Sequence, residues 1–184
     1  MNNYNMSDDI KEVLLTEEQI KAKTKELGAK ITEDYRGKEL ITLGILKGSV
    51  MFMSELLKEI KIPCYMDFMA VSSYGNSSES SGIVKIIKDL DYEIKGKHVL
   101  IVEDIIDSGT TLKYLTKYLQ ARNAASVEIA CLLNKPERRK EEVYAKYLGF
   151  DVEDNFLVGY GLDYAEMYRN LPYIGILKEK VYKK

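Results

Sequence analysis

Residues 99–111 read VLIVEDIIDSGTT, and the rest of the chain is understood outward from them. An apolar, β-branched run ends in two adjacent carboxylates, Glu103 and Asp104. Two isoleucines follow, and then Asp107-Ser108-Gly109-Thr110-Thr111 opens a stretch in which Leu112, Leu115 and Leu119 recur at helical spacing. Strand, small-residue loop and helix start make a βα unit. Small residues at a helix N-terminus let backbone N–H groups approach a phosphate closely. The helix dipole favours the anion, and the Ser and Thr hydroxyls add donors. Carboxylates cannot hold a phosphate directly. They suit ribose hydroxyls, or water on a Mg²⁺ ion that bridges to pyrophosphate. A capped helix with solvated acids explains DSGTT alone about as well, but not an acidic pair placed at the end of an apolar strand.

The flanking sequence extends the pattern. Thr16-Glu17-Glu18-Gln19 matches a capping box, with Ile20, Leu27 and Ile31 on one helical face, so a first helix is expected to about Tyr35. Residues 40–46 (LITLGIL) read as a buried strand, and Met53, Leu56, Leu57 and Ile60 as a helix. Further strands are expected at residues 65–71, 84–87, 98–102, 127–133 and 156–158. The serine-rich residues 72–82 (SSYGNSSESSG) read as a loop. Strands alternating with helices predict an α/β fold with a mainly parallel central sheet, whose ligands sit at the carboxyl ends of the strands.

Composition sets limits. The chain has 184 residues, 46% hydrophobic and 30% charged, which suits one domain. A net charge of −2 and a pI of about 5.6 argue against bulk nucleic-acid binding. Cys64 and Cys131 form no metal-type or disulfide pattern, and His98 is the only histidine, so neither a zinc site nor a histidine-based triad is expected. The polar, acidic opening does not read as a signal peptide, and no apolar run reaches the length of a membrane span. A cytoplasmic protein with no membrane or nucleic-acid partner is expected.

The strand, acid pair and D-[ST]-G-x-T of residues 99–111 resemble the type I phosphoribosyltransferase family, whose motif takes 5-phosphoribosyl pyrophosphate (PRPP). Further segments resemble its 6-oxopurine (hypoxanthine-guanine) branch, from about Glu17 to Val181. The resemblance implies a single domain over residues 1–184, with a small hood built from the N-terminal region and the segment from about residue 155. It implies purine salvage: transfer of the phosphoribosyl group to hypoxanthine or guanine, with Mg²⁺ as cofactor. A homodimer or homotetramer is also implied, and the 14 tyrosines could serve such an interface.

Site roles follow from the same resemblance. PRPP would lie across Glu103, Asp104, Asp107, Ser108, Gly109, Thr110 and Thr111, with Lys47, Gly48 and Arg169 toward the pyrophosphate. In the family the peptide between the residues matching Lys47 and Gly48 is often cis. Asp107 would be the general base. Lys135 would donate to the 6-oxo oxygen of the purine, Phe156 would stack on the base, and backbone groups around Leu157 and Asp163 would read its edge. Glu103 and Asp104 would face Mg²⁺, Asp163 would bind a second Mg²⁺, and Ser73-Tyr74 would belong to a closing lid. Gly161 and Asn134 depart from residues common in the family and could tune preference among oxopurines. Three rivals fit less well. Lys135 and residues 156–163 disfavour an adenine or pyrimidine transferase. An RNA-binding regulator on the same fold would need a basic face. PRPP synthetase would need a longer chain with an ATP-binding region.

Overall fold

The apolar runs read as buried strands are buried because helices cover both faces of one sheet. The computed structural model describes residues 5–73 and 84–183. In it, β2 (Leu40–Leu46) and β5 (His98–Ile106) lie at the centre of a six-stranded sheet. They are joined by β3 (Cys64–Ser73), β4 (Val84–Lys88), β6 (Ser126–Asn134) and β7 (Tyr147–Asp151) in the order β4-β3-β2-β5-β6-β7. Only the β3–β4 pair is antiparallel. The α/β fold with a mainly parallel sheet is therefore observed as expected.

Alternation along β5 shows how the layers divide. Val99 and Ile101 pack with Leu112, Leu115 and Leu119 of α3 (Thr110–Ala121). Leu100 and Val102 face the opposite core, shared with α1 (Glu17–Asp34) and α2 (Val50–Glu59). Successive side chains of a strand point to opposite faces, so both sides of β5 must be apolar where the helices cover it, as residues 99–102 are. The α1 capping box forms as read: Gln19 N–H donates to Thr16 Oγ1 at 3.3 Å, and Thr16 N–H donates to Gln19 Oε1 at 2.8 Å. On the face of α1 turned to α2, a Cβ on Gly28 would stand 2.4 Å from Glu59 Cβ, so only glycine permits this helix contact.

A second sheet lies apart from the first. Strand β1 (Ile10–Leu15) pairs antiparallel with β9 (Ile174–Leu177), which pairs with β8 (Leu157–Val158). The short helix α4 (Glu179–Tyr182) follows. Neither β1, β7 nor β9 was anticipated from the sequence.

Two expected boundaries change. Strand β5 runs on to Ile106, so Glu103 and Asp104 lie within it rather than beyond its end. Its ladder with β6 continues through Glu103↔Cys131 and Ile105↔Leu133, which holds the segment extended. Ser72 and Ser73, expected in a loop, belong to β3, where they pair with Lys85 and Val84 of β4. The rest of the expected lid, Tyr74 included, lies outside the described residues. Among the described residues no helix is long and apolar enough to cross a membrane.

Candidate active site

The carboxyl ends of β5 and β6 carry the site. The strand period sends Glu103 and Asp104 to opposite faces of the sheet. Glu103 lines a cavity of about 250 Å³ with Asp107, Ser108, Gly109 and Thr111. Its Oε2 is buried and has no hydrogen-bond partner among the described residues. Desolvation, and then the neighbouring Asp104 charge, hold its carboxyl well above the usual carboxylate range. Asp104 sits against Gly48 on the other side: a Cβ on Gly48 would be 1.7 Å from Asp104 Oδ2. Desolvation pushes the Asp104 carboxyl up to about 6, against a backbone hydrogen bond from Ile105 N–H to its Oδ1 at 2.8 Å.

The phosphate-type loop forms between β5 and α3. Gly109 adopts φ +83°, in the left-handed region, and N-caps α3 without a side-chain bond. A Cβ there would meet the carbonyl of Glu141 at 2.7 Å, so glycine is required on two counts. Thr110 and Thr111 are the first helical residues. Ser108 Oγ accepts from Thr110 N–H at 3.4 Å, and its carbonyl accepts from Lys140 and Glu141 N–H at 2.9 and 3.0 Å.

Lys47 and Gly48 follow β2 and stand against the other rim. The cis peptide of this loop is Leu46–Lys47, one residue earlier than the family pattern implied. Lys47 Nζ pairs with Glu166 at 3.0 Å, and Arg169 reaches the same Glu166 oxygen at 3.4 Å. Arg169 also pairs with Asp163 at 2.9 Å and donates to the Gly161 carbonyl at 2.7 Å. Lys47, Gly48, Asp104, Asp163 and Arg169 are thus gathered into one cluster from three separate parts of the chain. Gly161 belongs to this scaffold. Its φ is +101°, and a Cβ would lie 2.0 Å from the Gly48 carbonyl oxygen. Its lack of a side chain permits this close backbone approach. Gly161→Ala is expected to cost about 2–4 kcal/mol of stability from backbone strain and overlap. Urea denaturation measures this, and an unchanged midpoint would contradict it.

A larger cavity, about 440 Å³, opens on the other side of Asp107. Lys135, Arg138, Asp154, Phe156, Leu157 and Asp163 are among its walls. Lys135 is 8% exposed. Its Nζ donates to the Asn155 carbonyl at 2.6 Å and to Asp154 Oδ1 at 3.3 Å, so the ammonium is fixed rather than solvated. Phe156 is 37% exposed. Tyr182 stacks on it at 4.6 Å between centroids, and Tyr164 meets it edge-on at 5.4 Å. The backbone of Leu157 is engaged in the β8–β9 pairing with Ile176.

Every expected site residue within the described set other than Ser73 therefore falls in one of these groups. Among the described residues, no three His, Cys, Asp or Glu side chains converge into a ready-made metal cage. Sequence reasoning missed Arg138, Asp154, Glu166 and Tyr182. Each acts through a partner far along the chain, and none carries a local pattern that marks it.

Comparisons with known proteins bear on the family and the fold. Residues 12–165 match the phosphoribosyl transferase domain family. The hypoxanthine-guanine phosphoribosyltransferase of Staphylococcus aureus is 59% identical over 177 residues, covering 96% of this chain and 99% of that protein. Its Staphylococcus epidermidis counterpart is 57% identical over 179 residues, covering 97% and 100%. A crystal structure of a hypoxanthine phosphoribosyltransferase from Staphylococcus aureus superposes with a TM-score of 0.96 at 57% identity, covering 100% of both chains.

Proposed function

The chain belongs to the phosphoribosyl transferase family, and on that premise we propose that the two cavities meeting at Asp107 hold its two substrates. The enzyme transfers the 5-phosphoribosyl group of PRPP to hypoxanthine or guanine, giving IMP or GMP and pyrophosphate, a reaction of purine salvage. The observation that carries the assignment of residues is that Ile105 and Asp107 line both cavities. One side has the small-residue loop and helix start suited to a phosphate. The other has a fixed ammonium and an exposed aromatic face suited to a purine.

On this reading the 5-phosphate rests on the loop of Asp107, Ser108, Gly109, Thr110 and Thr111, where N–H groups and the α3 dipole offset its charge. Glu103, whose buried Oε2 has no partner among the described residues, takes the ribose side. Lys47, Gly48 and Arg169 take the pyrophosphate. Lys135 donates to the 6-oxo oxygen and Phe156 supports the ring, while backbone around Leu157 and Asp163 reads position 2. The purine nitrogen forms its bond to C1 of the ribose as the bond to pyrophosphate breaks, and Asp107 takes the proton of the imidazole ring. Orientation of the two substrates and stabilisation of the leaving charge supply most of the rate. The small sheet, from the N-terminal strand and the segment beyond about residue 155, acts as the hood over the base. The protein works in the cytoplasm as a homodimer or homotetramer.

Magnesium fits this site. Two desolvated carboxylates on β5, one with an orphaned oxygen, are costly without a cation nearby. Glu103 would face one ion on the ribose side, and Asp163 a second ion beside Asp104 and Arg169, in each case largely through water and the substrate, since Mg²⁺ is usually bound by few protein ligands. When bound it neutralises charge developing on the pyrophosphate. Turnover of PRPP with hypoxanthine is therefore expected to cease in excess EDTA and to return when Mg²⁺ is restored. Full turnover in EDTA would remove the metal from the account.

A further inference from the structure

We infer that Arg138 is a positioning residue that acts through Asp107, tying the group that takes the purine's ring proton to the group that reads its 6-oxo oxygen. The inference deepens the proposed function and rests on Asp107 being the general base.

The local sequence places Arg138. Pro136 opens a short 3-10 turn, Pro136–Arg138, directly after Lys135 at the end of β6. The turn swings Arg138 back over the loop that follows β5. There its Nε meets Asp107 Oδ1 at 2.8 Å, and the other arm of the guanidinium reaches the two oxygens of Asp154 at 3.3 and 3.4 Å. Asp154 in turn holds Lys135 Nζ at 3.3 Å. The result is an unbroken chain, Asp107–Arg138–Asp154–Lys135, along one wall of the larger cavity. The next residue, Arg139, donates to the backbone carbonyl of Asp107 at 3.1 Å and also holds Asn134 Oδ1. Asp107 is thus gripped at its side chain by one arginine and at its backbone by the next.

This arrangement suits a planar ligand contacted at two edges. A purine presents its 6-oxo oxygen and its imidazole nitrogen at a fixed separation. Lys135 and Asp107 must match that separation together, and a small error in position is expensive in rate. A planar, forked guanidinium can hold two carboxylates at a set spacing, which an ammonium cannot do as well. The ordinary alternative is an ion pair contributing only to the surface. Arg138 and Asp107 are about half exposed, at 51% and 49% of their side chains. Pairs so exposed add little to folding, so removing Arg138 should spare the fold and any effect should appear in catalysis.

The test is a double-mutant cycle on kcat, with thermal midpoints recorded for each variant. Arg138→Gln is expected to lower kcat by about ten- to hundredfold, with KM for PRPP nearly unchanged, because a misplaced base loses rate rather than phosphate binding. Arg138→Lys should recover part of that loss. In an Asp107→Asn background, adding Arg138→Gln should cost almost nothing further, because residues that act as a unit are not additive. Losses that multiply in the double variant, or a wild-type kcat in Arg138→Gln, would overturn the inference while leaving Asp107 as the base. A wild-type kcat in Asp107→Asn alone would overturn the base assignment and the inference with it.

Discussion

Asp107→Asn is expected to lower kcat by about 10²–10⁴-fold, the range typical of a lost general base, while the protein remains folded. Asparagine keeps the size and shape of the side chain but cannot accept the imidazole proton of the purine. The residue sits where the two cavities join, so it can reach the acceptor base and lies beside the loop proposed for the phosphoribosyl group. Its side chain is about half exposed and paired with Arg138. Loss of such a pair costs about 0–1 kcal/mol of stability, too little to confuse a kinetic defect with unfolding. Steady-state kinetics on variant and parent, with thermal melting of both, measures the two effects separately. A kcat within twofold of the parent would take Asp107 out of the chemistry and leave it as part of the turn before α3.

The parts of the fold that were legible in the sequence are those whose burial is two-sided. Strand β2 appears over the very residues read from LITLGIL, because both its faces are covered, so its positions are apolar apart from Thr42, whose buried hydroxyl donates to the Tyr65 carbonyl at 2.8 Å. The α1 start was legible for a local reason, since its capping box lies within four residues. Strand β1, with sequence IKEVLL, was missed because only its two ends are buried and its middle carries Lys11 and Glu12. Its partner β9 is four residues long and meets it from the other end of the chain, a pairing no local pattern encodes. The end of β5 was placed too early because charge was taken to mark the strand's exit. The carboxylates are instead carried inside the ladder, where the alternation of the strand gives Glu103 and Asp104 different neighbours.

The site divides in the same way. The loop of residues 107–111 was readable because its chemistry is contiguous: glycine for the left-handed turn, hydroxyls beside it and a helix start after it. Lys135 was placed only through the family pattern, since most lysines are solvated. Its burial and its two acceptors, Asp154 and the Asn155 carbonyl, come from residues in the connection before β8. Glu166, at φ +65°, bridges Lys47 and Arg169, two cations that only the family resemblance groups together in the sequence. The need for glycine at 161 is visible only in three dimensions, where its backbone meets the Gly48 carbonyl.

Adenine is expected to be a substrate poorer than hypoxanthine by about 10⁴-fold in kcat/KM, the discrimination available to a site built around a buried polar contact. Lys135 has three donors and no acceptor. Asp154 and the Asn155 carbonyl hold its ammonium in place at the cavity wall. A 6-oxo oxygen accepts from it. The 6-amino group of adenine presents hydrogens instead, and the ammonium would be left facing a donor in a site emptied of water. Hypoxanthine and guanine share the oxo group and should both be used, with the extra amino group of guanine donating to backbone carbonyls near Leu157 and Asp163. Xanthine carries an oxygen at that position and should be weaker. The most direct test is kcat/KM for hypoxanthine, guanine, xanthine and adenine at saturating PRPP and Mg²⁺, followed by pyrophosphate release. Turnover with hypoxanthine and guanine, less with xanthine and almost none with adenine, is the predicted result; adenine within tenfold of hypoxanthine would contradict the role of Lys135 and the assignment of the larger cavity to a 6-oxopurine.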